Sequence, residues 1–356
     1  MHNHTLYVIL SRYVRNELSL VDVVDGFSDK EWQDLYKASA MQGVLAVVYG
    51  MVSVLPKEVT LPRNIKLQWA IGVENIAYRA QKQIQIANEL ADIFKANEIK
   101  TVVLKGLGLG VYYPSPMQRE CGDFDCFLFN DFQKGIEVAK EYGAKVGHID
   151  YKHAQLIYKG VSIEVHRYFT SFRGEKNKHE FESVLNSLIR KSPCNPVYEG
   201  SSILVASPTF NAVFLVYHTL FHFLFESVKL RHILDWGLMV RAEQENIDWE
   251  VFRGICAKHK MLKFAETITA ICNDYLGFDL ALPINAKSEY RDKVLLDMMS
   301  NTDSVSNKRG WRRRLQLLKN TYNARWKYQL VDTTYILDLA KRGFYFIFSN
   351  DKHNTL

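Results

Sequence analysis

The chain has 356 residues, of which 47% are hydrophobic and 24% are charged, and its formal net charge is +6. Both fractions are ordinary for a soluble globular protein and exclude a chain of strongly biased composition, while the length allows two or three packed units. The modest positive charge permits an anionic ligand but does not require nucleic acid.

Neither the cysteines nor the apolar segments indicate export or a membrane. The five cysteines form no Cys-x-x-Cys pair, which is typical of reduced thiols and argues against a zinc ribbon. The N-terminus lacks the features of a signal peptide. The most apolar segment, residues 212–225, is interrupted by His218 and His222, and it is shorter than the ~20 residues that a bilayer requires. We therefore expect a cytoplasmic protein with no transmembrane segment.

Residues 1–97 are predicted to form an N-terminal helical cap. Ser28 and Glu31 have the spacing of a capping box at the start of a helix over residues 29–49. Pro56 and Pro62 mark a linker, and apolar residues at helical spacing then predict a long helix over residues 67–97.

Residues 98–206 are predicted to hold a small mixed β-sheet with a connector. Besides the strand that carries Asp123 and Asp125, short apolar runs predict strands at residues 101–104, 145–149, 154–158 and 161–166. Lys159-Gly160 predicts a tight hairpin turn. Helices are predicted at residues 131–142 and 181–189.

Residues 207–356 are predicted to form a larger C-terminal helical domain. Its helices are expected at residues 209–226, 229–244, 249–259, 262–275, 290–300 and 333–348. The expected fold class is therefore α+β, with a small mixed sheet flanked by helices on both sides in sequence.

Two carboxylates follow Gly122 on a predicted strand. Alternation of side chains places Asp123 and Asp125 on one face and Phe124 on the other. Neighbouring carboxylates repel one another unless a cation lies between them, and hard oxygen ligands suit Mg²⁺ or Mn²⁺. The alternative is a solvated Gly-Asp turn, because Asp-x-Asp is a common sequence.

The predicted strand over residues 161–166 carries a third carboxylate. Alternation puts Glu164 and His166 on one face, and a buried glutamate is rare unless it is paired or binds a metal. If this strand lies beside that of Asp125, three carboxylates converge as the ligand set that a two-metal phosphoryl or nucleotidyl transfer site needs. An exposed glutamate on a one-sided sheet is the alternative.

The turn at Lys105 and Gly106 separates the first strand from a glycine-rich segment. A helix that begins after such a turn offers free N–H groups and a positive dipole end, which favour phosphate, and Lys105 adds a charge. A surface lysine is the alternative. Gly108 and Gly110 fit either a close ligand or tight helix packing. Arg119 fits either a phosphate contact or a tie between this loop and a carboxylate.

As a set, these motifs resemble the uncharacterised bacterial nucleotidyltransferase family of the polymerase-beta-type nucleotidyltransferase superfamily. The resemblance rests on the Leu-Lys-Gly turn at residues 104–106, Tyr113-Pro114, Arg119 before Gly-Asp-x-Asp, the pair Glu164 and His166, and a helical block with His222, Arg231 and Asp235. One departure is Lys-Gly at the first turn, where the superfamily usually has Gly-Ser.

The resemblance implies an enzyme that moves a nucleoside monophosphate from a nucleoside triphosphate to an unknown hydroxyl acceptor, a small molecule or a protein. Asp123, Asp125 and Glu164 would be catalytic and would hold Mg²⁺ or Mn²⁺. The nucleotide would be bound by Lys105, Gly106, Arg119 and His166. The cleft-lining candidates are His222, Arg231 and Asp235.

His218 and His222 lie four residues apart, on one face of a predicted helix. This spacing can bind zinc. Because no glutamate follows His218 and no third ligand is evident in the sequence, we expect packed or hydrogen-bonded histidines.

Residues 308–327 carry eight basic residues and no acidic one: Lys308, Arg309, Arg312, Arg313, Arg314, Lys319, Arg325 and Lys327. The interleaved aromatic residues suit nucleic acid or an anionic surface, and a solvated helix face is the alternative. Two other functions stay open. One is a catalytically degenerate binding module of the nucleotidyltransferase fold that acts through this segment, and the other is a metal-dependent glycosyltransferase.

Overall fold

The computed structural model describes residues 2–59, 61–170, 176–191, 194–197, 201–225, 227–300 and 323–331. The helices are α1 (His2–Arg15), α2 (Val21–Val24), α3 (Asp29–Met41), α4 (Leu45–Val52), α5 (Arg63–Ala96), α6 (Gly106–Gly110), α7 (Phe132–Glu141), α8 (Lys176–Lys191), α9 (Pro208–Phe225), α10 (Leu230–Glu243), α11 (Trp249–Lys258), α12 (Leu262–Leu276) and α13 (Arg291–Ser300). The strands are β1 (Val102–Leu104), β2 (Phe124–Phe127), β3 (Lys145–Ile149), β4 (His153–Tyr158), β5 (Val161–His166), β6 (Asn195–Pro196) and β7 (Leu204–Val205).

The first predicted helix begins as expected but is split in two. The Ser28 hydroxyl accepts the backbone N–H of Glu31, and the Glu31 carboxylate accepts the N–H of Ser28, so the capping box is present. The single helix predicted over residues 29–49 is wrong, because the chain turns between α3 and α4, where Gly43 has a φ of +68°. At this break Gln42 is buried, and its side chain accepts the N–H of Leu230 and donates to the carbonyl of Met298.

The described strands form one mixed sheet in the order β3-β4-β5-β2-β1-β7-β6. The pairs β2/β5 and β1/β7 are parallel, and the other neighbours are antiparallel. With the helices around it, this sheet confirms the predicted α+β fold class. Strands β6 and β7 come from the predicted connector, where two-residue strands leave no periodicity to read.

The described apolar residues form two clusters, one on each face of the central strands. The residues between the sheet and the second half of α5 include Phe94, Val103 and Cys126. Val102, Leu104 and Phe127 belong instead to the helical cluster. Because Leu104 pairs with Asp125 across β1 and β2, and because side chains alternate along a strand, Asp125 lies on the face turned toward the helices.

The N-terminal and C-terminal helices share that helical cluster. It contains Leu6 of α1 and Trp32 of α3 together with Phe210 of α9 and Phe264 of α12. The boundaries predicted after residues 97 and 206 fall just after α5 and just before α9, and the division into three domains stays a prediction.

None of the described helices is both long and apolar enough to cross a membrane. Most of the basic segment, residues 308–322, lies outside the described residues, as does the helix predicted over residues 333–348.

Candidate active site

Strands β2 and β5 bring the predicted carboxylates together. They run parallel, and their register pairs Asp125 with Glu164 and Phe127 with His166. One side-chain ligand atom from each of Asp125, Glu164 and His166 lies within 4.8 Å of the other two. Asp123 is exposed just before β2, and its charge contributes to the raised pKa of Glu164, so it lies near the same group.

Asp125 is held by a lysine and a histidine at one oxygen. Its Oδ1 atom accepts from Lys105 Nζ at 2.9 Å and from His166 Nε2 at 2.7 Å, and the residue is only 7% exposed. Burial raises the pKa of Asp125. The charge of Lys105 and the hydrogen bond from His166 together lower it by a larger amount, so the pKa lies well below its usual range. The carboxylate is therefore ionised at any physiological pH.

The turn that carries Lys105 is strained. Lys105 has φ +48° and ψ −136°, a conformation in which residues with a side chain are uncommon, and Gly106 follows with φ +21°. Such backbone costs of order 1–3 kcal/mol and is found mainly at functional sites. Helix α6 has only five residues, so the charge of Lys105 matters more here than a helix dipole.

The later glycines of this segment serve packing. A Cβ atom at Gly108 would lie 3.4 Å from Val205, and one at Gly110 would lie 3.6 Å from the carbonyl of Pro116. These contacts favour the second interpretation, in which the glycines allow α6 to pack closely, here against Val205 of β7 and the loop at Pro116.

His166 supports Asp125 from inside the fold. It is 1% exposed, and burial lowers its pKa to about 4 although the neighbouring Asp125 raises it. The ring is therefore neutral at pH 7, and its single proton on Nε2 is donated to Asp125. The Nδ1 atom lies 3.3 Å from the carbonyl oxygen of Tyr168, and in this tautomer it has no proton to donate. This histidine, predicted to contact the nucleotide, is placed to orient the carboxylate.

Glu164 is half-buried and has an unusual pKa. Burial and the charge of Asp125 raise its pKa to about 7. Nitrogen Nε2 of His153 and Nε2 of His166 both lie 3.7 Å from its carboxylate. A carboxyl group with this pKa gains and loses a proton near neutral pH, which is a property of general bases.

Glu164 is expected to destabilise the metal-free protein at high pH. The pKa of Glu164 is higher in the folded chain than its ordinary value. Ionisation of Glu164 therefore lowers the free energy of unfolding. This decrease is absent below about pH 4.5 and complete above about pH 7. We expect Glu164→Gln to raise the free energy of unfolding by about 2 kcal/mol at pH 8 and to change it little at pH 5. Urea unfolding at both pH values measures this.

The control for this prediction is Glu58→Gln, because Glu58 is exposed and far from the site in sequence. It should leave stability unchanged at both pH values. A Glu164→Gln protein that is less stable than the wild type at pH 8 would contradict the raised pKa of Glu164.

Two further residues at the site carry no sequence signal. The charge of Lys152 lowers the pKa of Glu164. Burial and the charge of Lys105 lower the pKa of Lys152 itself, although Asp125 and Glu164 raise it. His153, at the start of β4, pairs with His166 across β4 and β5. Both follow a turn in which the Asp150 carboxylate accepts the N–H groups of residues 152 and 153. A lysine and a histidine at a strand start are too common to single out in the sequence.

Arg119 and Asp235 form a buried ion pair with each other. Arg119 donates to both carboxylate oxygens of Asp235 at 2.8 Å, and the Tyr113 hydroxyl donates to the same group at 2.8 Å. Arg119 is 6% exposed and Asp235 is 1% exposed. Arg119 could contact phosphate or link its loop to a carboxylate, and in the structure it makes the second of these contacts, with Asp235. Asp235, predicted to line the cleft, is enclosed in this pair.

The other residues of the helical block lie around a group of histidines. Arg231 donates to the carbonyl of Glu120 at 2.8 Å and so also holds the loop before β2. His222 Nε2 lies 3.0 Å from His218 Nε2, and His232 of α10 completes the group. The charges of Lys105 and Lys152 contribute to the lowered pKa of His218, after the larger effect of burial. The histidines therefore lie near the lysines of the site.

Neighbouring carboxylates that could hold divalent ions, with a lysine beside them, are compatible with chemistry on phosphate groups. The model of a family described as uncharacterised nucleotidyltransferase matches residues 28–277, and the chain belongs to this family. This match confirms the predicted family, the nucleotidyltransferase class and the prediction of an enzyme. It spans all of the site residues named above. No curated protein and no solved structure matches the chain.

Proposed function

We propose that the protein transfers a nucleoside monophosphate from a nucleoside triphosphate to a hydroxyl acceptor, in a reaction that needs a divalent cation. The observation that carries this proposal is the facing pair Asp125 and Glu164 on parallel strands, with Lys105 on the same carboxylate oxygen. Family membership supports nucleotidyl transfer. The arrangement of these residues supports β2, β5 and the Lys105 turn as the place where transfer occurs.

The residues fit Mg²⁺ or Mn²⁺. Asp125 and Glu164 offer oxygen ligands within 4.8 Å of one another, and the exposed Asp123 lies near them. Carboxylate oxygens are the ligands that these ions prefer. When bound, such an ion neutralises negative charge on the triphosphate as it develops.

Lys105 is the residue that changes partner. In the structure its ammonium group lies 2.9 Å from Oδ1 of Asp125. Because like charges repel each other, a cation held by Asp125 and Glu164 would weaken this ion pair. Lys105 would then be free to contact the phosphates of the substrate, next to Gly106.

Glu164 and His166 have different tasks. Glu164 would help to hold the cation and would orient the attacking hydroxyl or accept its proton. Its pKa of about 7 belongs to the metal-free chain, and a bound cation would lower that pKa. His166 holds Asp125 in place through its Nε2–H. The hydroxyl oxygen attacks the α-phosphorus, the bond to the bridging oxygen breaks, and pyrophosphate leaves.

The function is tested by binding of each of the four nucleoside triphosphates to the full chain, with and without Mg²⁺, in an isothermal titration. We expect at least one triphosphate to bind only with Mg²⁺. Absence of Mg²⁺-dependent binding for all four would overturn the proposal and would favour a binding module of the same fold. Candidate acceptors can then be tested for their ability to cause release of pyrophosphate.

Replacement of Lys105 is expected to have opposite effects on the affinities for Mn²⁺ and for the nucleoside triphosphate. In Lys105→Met the ammonium group no longer competes at Asp125, so Mn²⁺ binding without nucleotide should tighten by about tenfold or more. Unit charges about 4 Å apart interact by about 4 kcal/mol at an effective dielectric constant of 20. Binding of the triphosphate should weaken, because a phosphate contact is lost. Titration of Mn²⁺ followed by electron paramagnetic resonance measures the first effect.

Lys159 provides a matched control for this change. It also has a positive φ, +49°, and also pairs with a carboxylate, Glu89, but it is exposed in the β4–β5 hairpin. Lys159→Met should alter neither affinity. If Mn²⁺ binds Lys105→Met more weakly than the wild type, the exchange of partners is wrong.

A further inference from the structure

Three histidines form a compact nitrogen cluster beside the candidate active site. His218 and His222 lie one turn apart on α9, and His232 lies in the first turn of α10. One ring nitrogen from each lies within 4.8 Å of the other two, and the group contains no carboxylate among the described residues. His232 is 6% exposed, and the other two are partly buried.

The separation of the nitrogens is close to that of metal ligands. Tetrahedral Zn²⁺ with nitrogen ligands at 2.0–2.1 Å places those nitrogens about 3.3 Å apart. Nε2 of His218 and Nε2 of His222 are already 3.0 Å apart. The His232 nitrogen lies within 4.8 Å of them, so it has to approach by no more than about 1.5 Å. In the metal-free chain a hydrogen bond joins His218 to His222, and the ring of His232 stacks on that of His222 with centroids 5.0 Å apart. These contacts already bring the three rings together, so binding of an ion requires only a small rotation of the rings.

We propose that His218, His222 and His232 bind one transition-metal ion of the Zn²⁺ type. Three imidazole ligands leave a fourth coordination position open, as in catalytic zinc sites. The ion joins α9 to α10, the helix that carries Asp235. The site is separate from the carboxylates, and the proposal does not depend on the proposed function.

The two sites select different ions by the chemistry of their ligands. Imidazole nitrogen suits zinc, whereas carboxylate oxygen suits Mg²⁺ and Mn²⁺. An excess of Mg²⁺ therefore competes with Zn²⁺ at the carboxylates rather than at the histidines, and Asp125→Asn reports any Zn²⁺ that still binds at the carboxylates. This difference allows the histidine site to be measured alone.

His232 is expected to be the weakest of the three ligands. Its Nδ1 atom accepts the backbone N–H of Lys229 at 3.0 Å, so in the neutral ring the proton is on Nε2. Binding of the ion through Nε2 moves this proton to Nδ1 and breaks the bond to Lys229. Replacement of His232 should therefore weaken binding less than replacement of His218 or His222.

The experiment is an isothermal titration of Zn²⁺ into chelator-treated full chain in excess Mg²⁺. We expect one equivalent to bind to the wild type and equally to Asp125→Asn. Affinity should fall at least tenfold in His218→Ala and in His222→Ala. The control His148→Ala removes an exposed histidine of β3 and should leave the affinity unchanged.

Two results would overturn the proposal. One is the absence of stoichiometric Zn²⁺ binding, and the other is binding that Asp125→Asn loses and His218→Ala keeps. If the alanine variants do not fold, the visible spectrum of the wild type with Co²⁺ decides. Intense bands of four-coordinate Co²⁺ support the site, and the weak bands of six-coordinate Co²⁺ refute it.

Discussion

Asp125→Asn is expected to abolish Mg²⁺-dependent binding of the nucleoside triphosphate and to reduce transfer by about 1000-fold. A bound metal supplies several kcal/mol of charge stabilisation, and each 1.36 kcal/mol is a factor of ten in rate. Asn keeps the shape of the side chain but removes the charge that Lys105 and His166 now stabilise. Binding is measured by isothermal titration with and without Mg²⁺, and transfer by pyrophosphate release.

The effect should be specific to this carboxylate. Asp92 is exposed on α5, so Asp92→Asn serves as the control and should retain wild-type binding. The circular dichroism spectrum of Asp125→Asn should match that of the wild type, because the substitution is isosteric. If Asp125→Asn transfers at the wild-type rate, the assignment of the metal site to these strands is wrong.

Asp235→Ala is expected to destabilise the protein by about 3–5 kcal/mol. The change leaves the Arg119 guanidinium buried without its counter-charge, and breaking a buried ion pair from one side has a cost of this size. The Tyr113 hydroxyl also loses its acceptor. The free energy of unfolding in urea measures the effect, with cooperativity checked by two spectroscopic probes.

An exposed ion pair is the control for this prediction. Arg291 pairs with Asp274 on the surface, and Asp274→Ala should leave the unfolding midpoint nearly unchanged because water screens such pairs. The double variant Arg119→Met, Asp235→Leu removes both buried charges and should recover much of the lost stability. An Asp235→Ala protein of wild-type stability would show that the pair does not hold the loop to α10.

Features that depend on neighbouring residues could be read from the sequence. The capping box at Ser28, the turn at Lys159 and the alternation that puts Glu164 beside His166 are all present. Each of them is a short-range pattern, because hydrogen bonds of a turn and the two faces of a strand are determined within a few residues. The catalytic roles of Asp123, Asp125 and Glu164 stay a prediction.

Features that join distant residues could not be read in this way. The break after Met41 falls within a continuous helical pattern, and it is held by contacts of Gln42 with α10 and α13. The connector strands β6 and β7 exist because β7 pairs with β1. In both cases the partner lies more than 90 residues away, where local propensity carries no information.

The candidate site shows the same division. The kinds of residue can be read from the sequence: carboxylates on two strands, a lysine at a glycine turn and an arginine in the following loop. Their partners follow from the way the elements pack. It pairs Lys105 with Asp125 and Arg119 with Asp235, and it adds His232 to the histidines of α9. Side chains choose partners by charge, distance and burial, and these are fixed when the sheet and helices pack together.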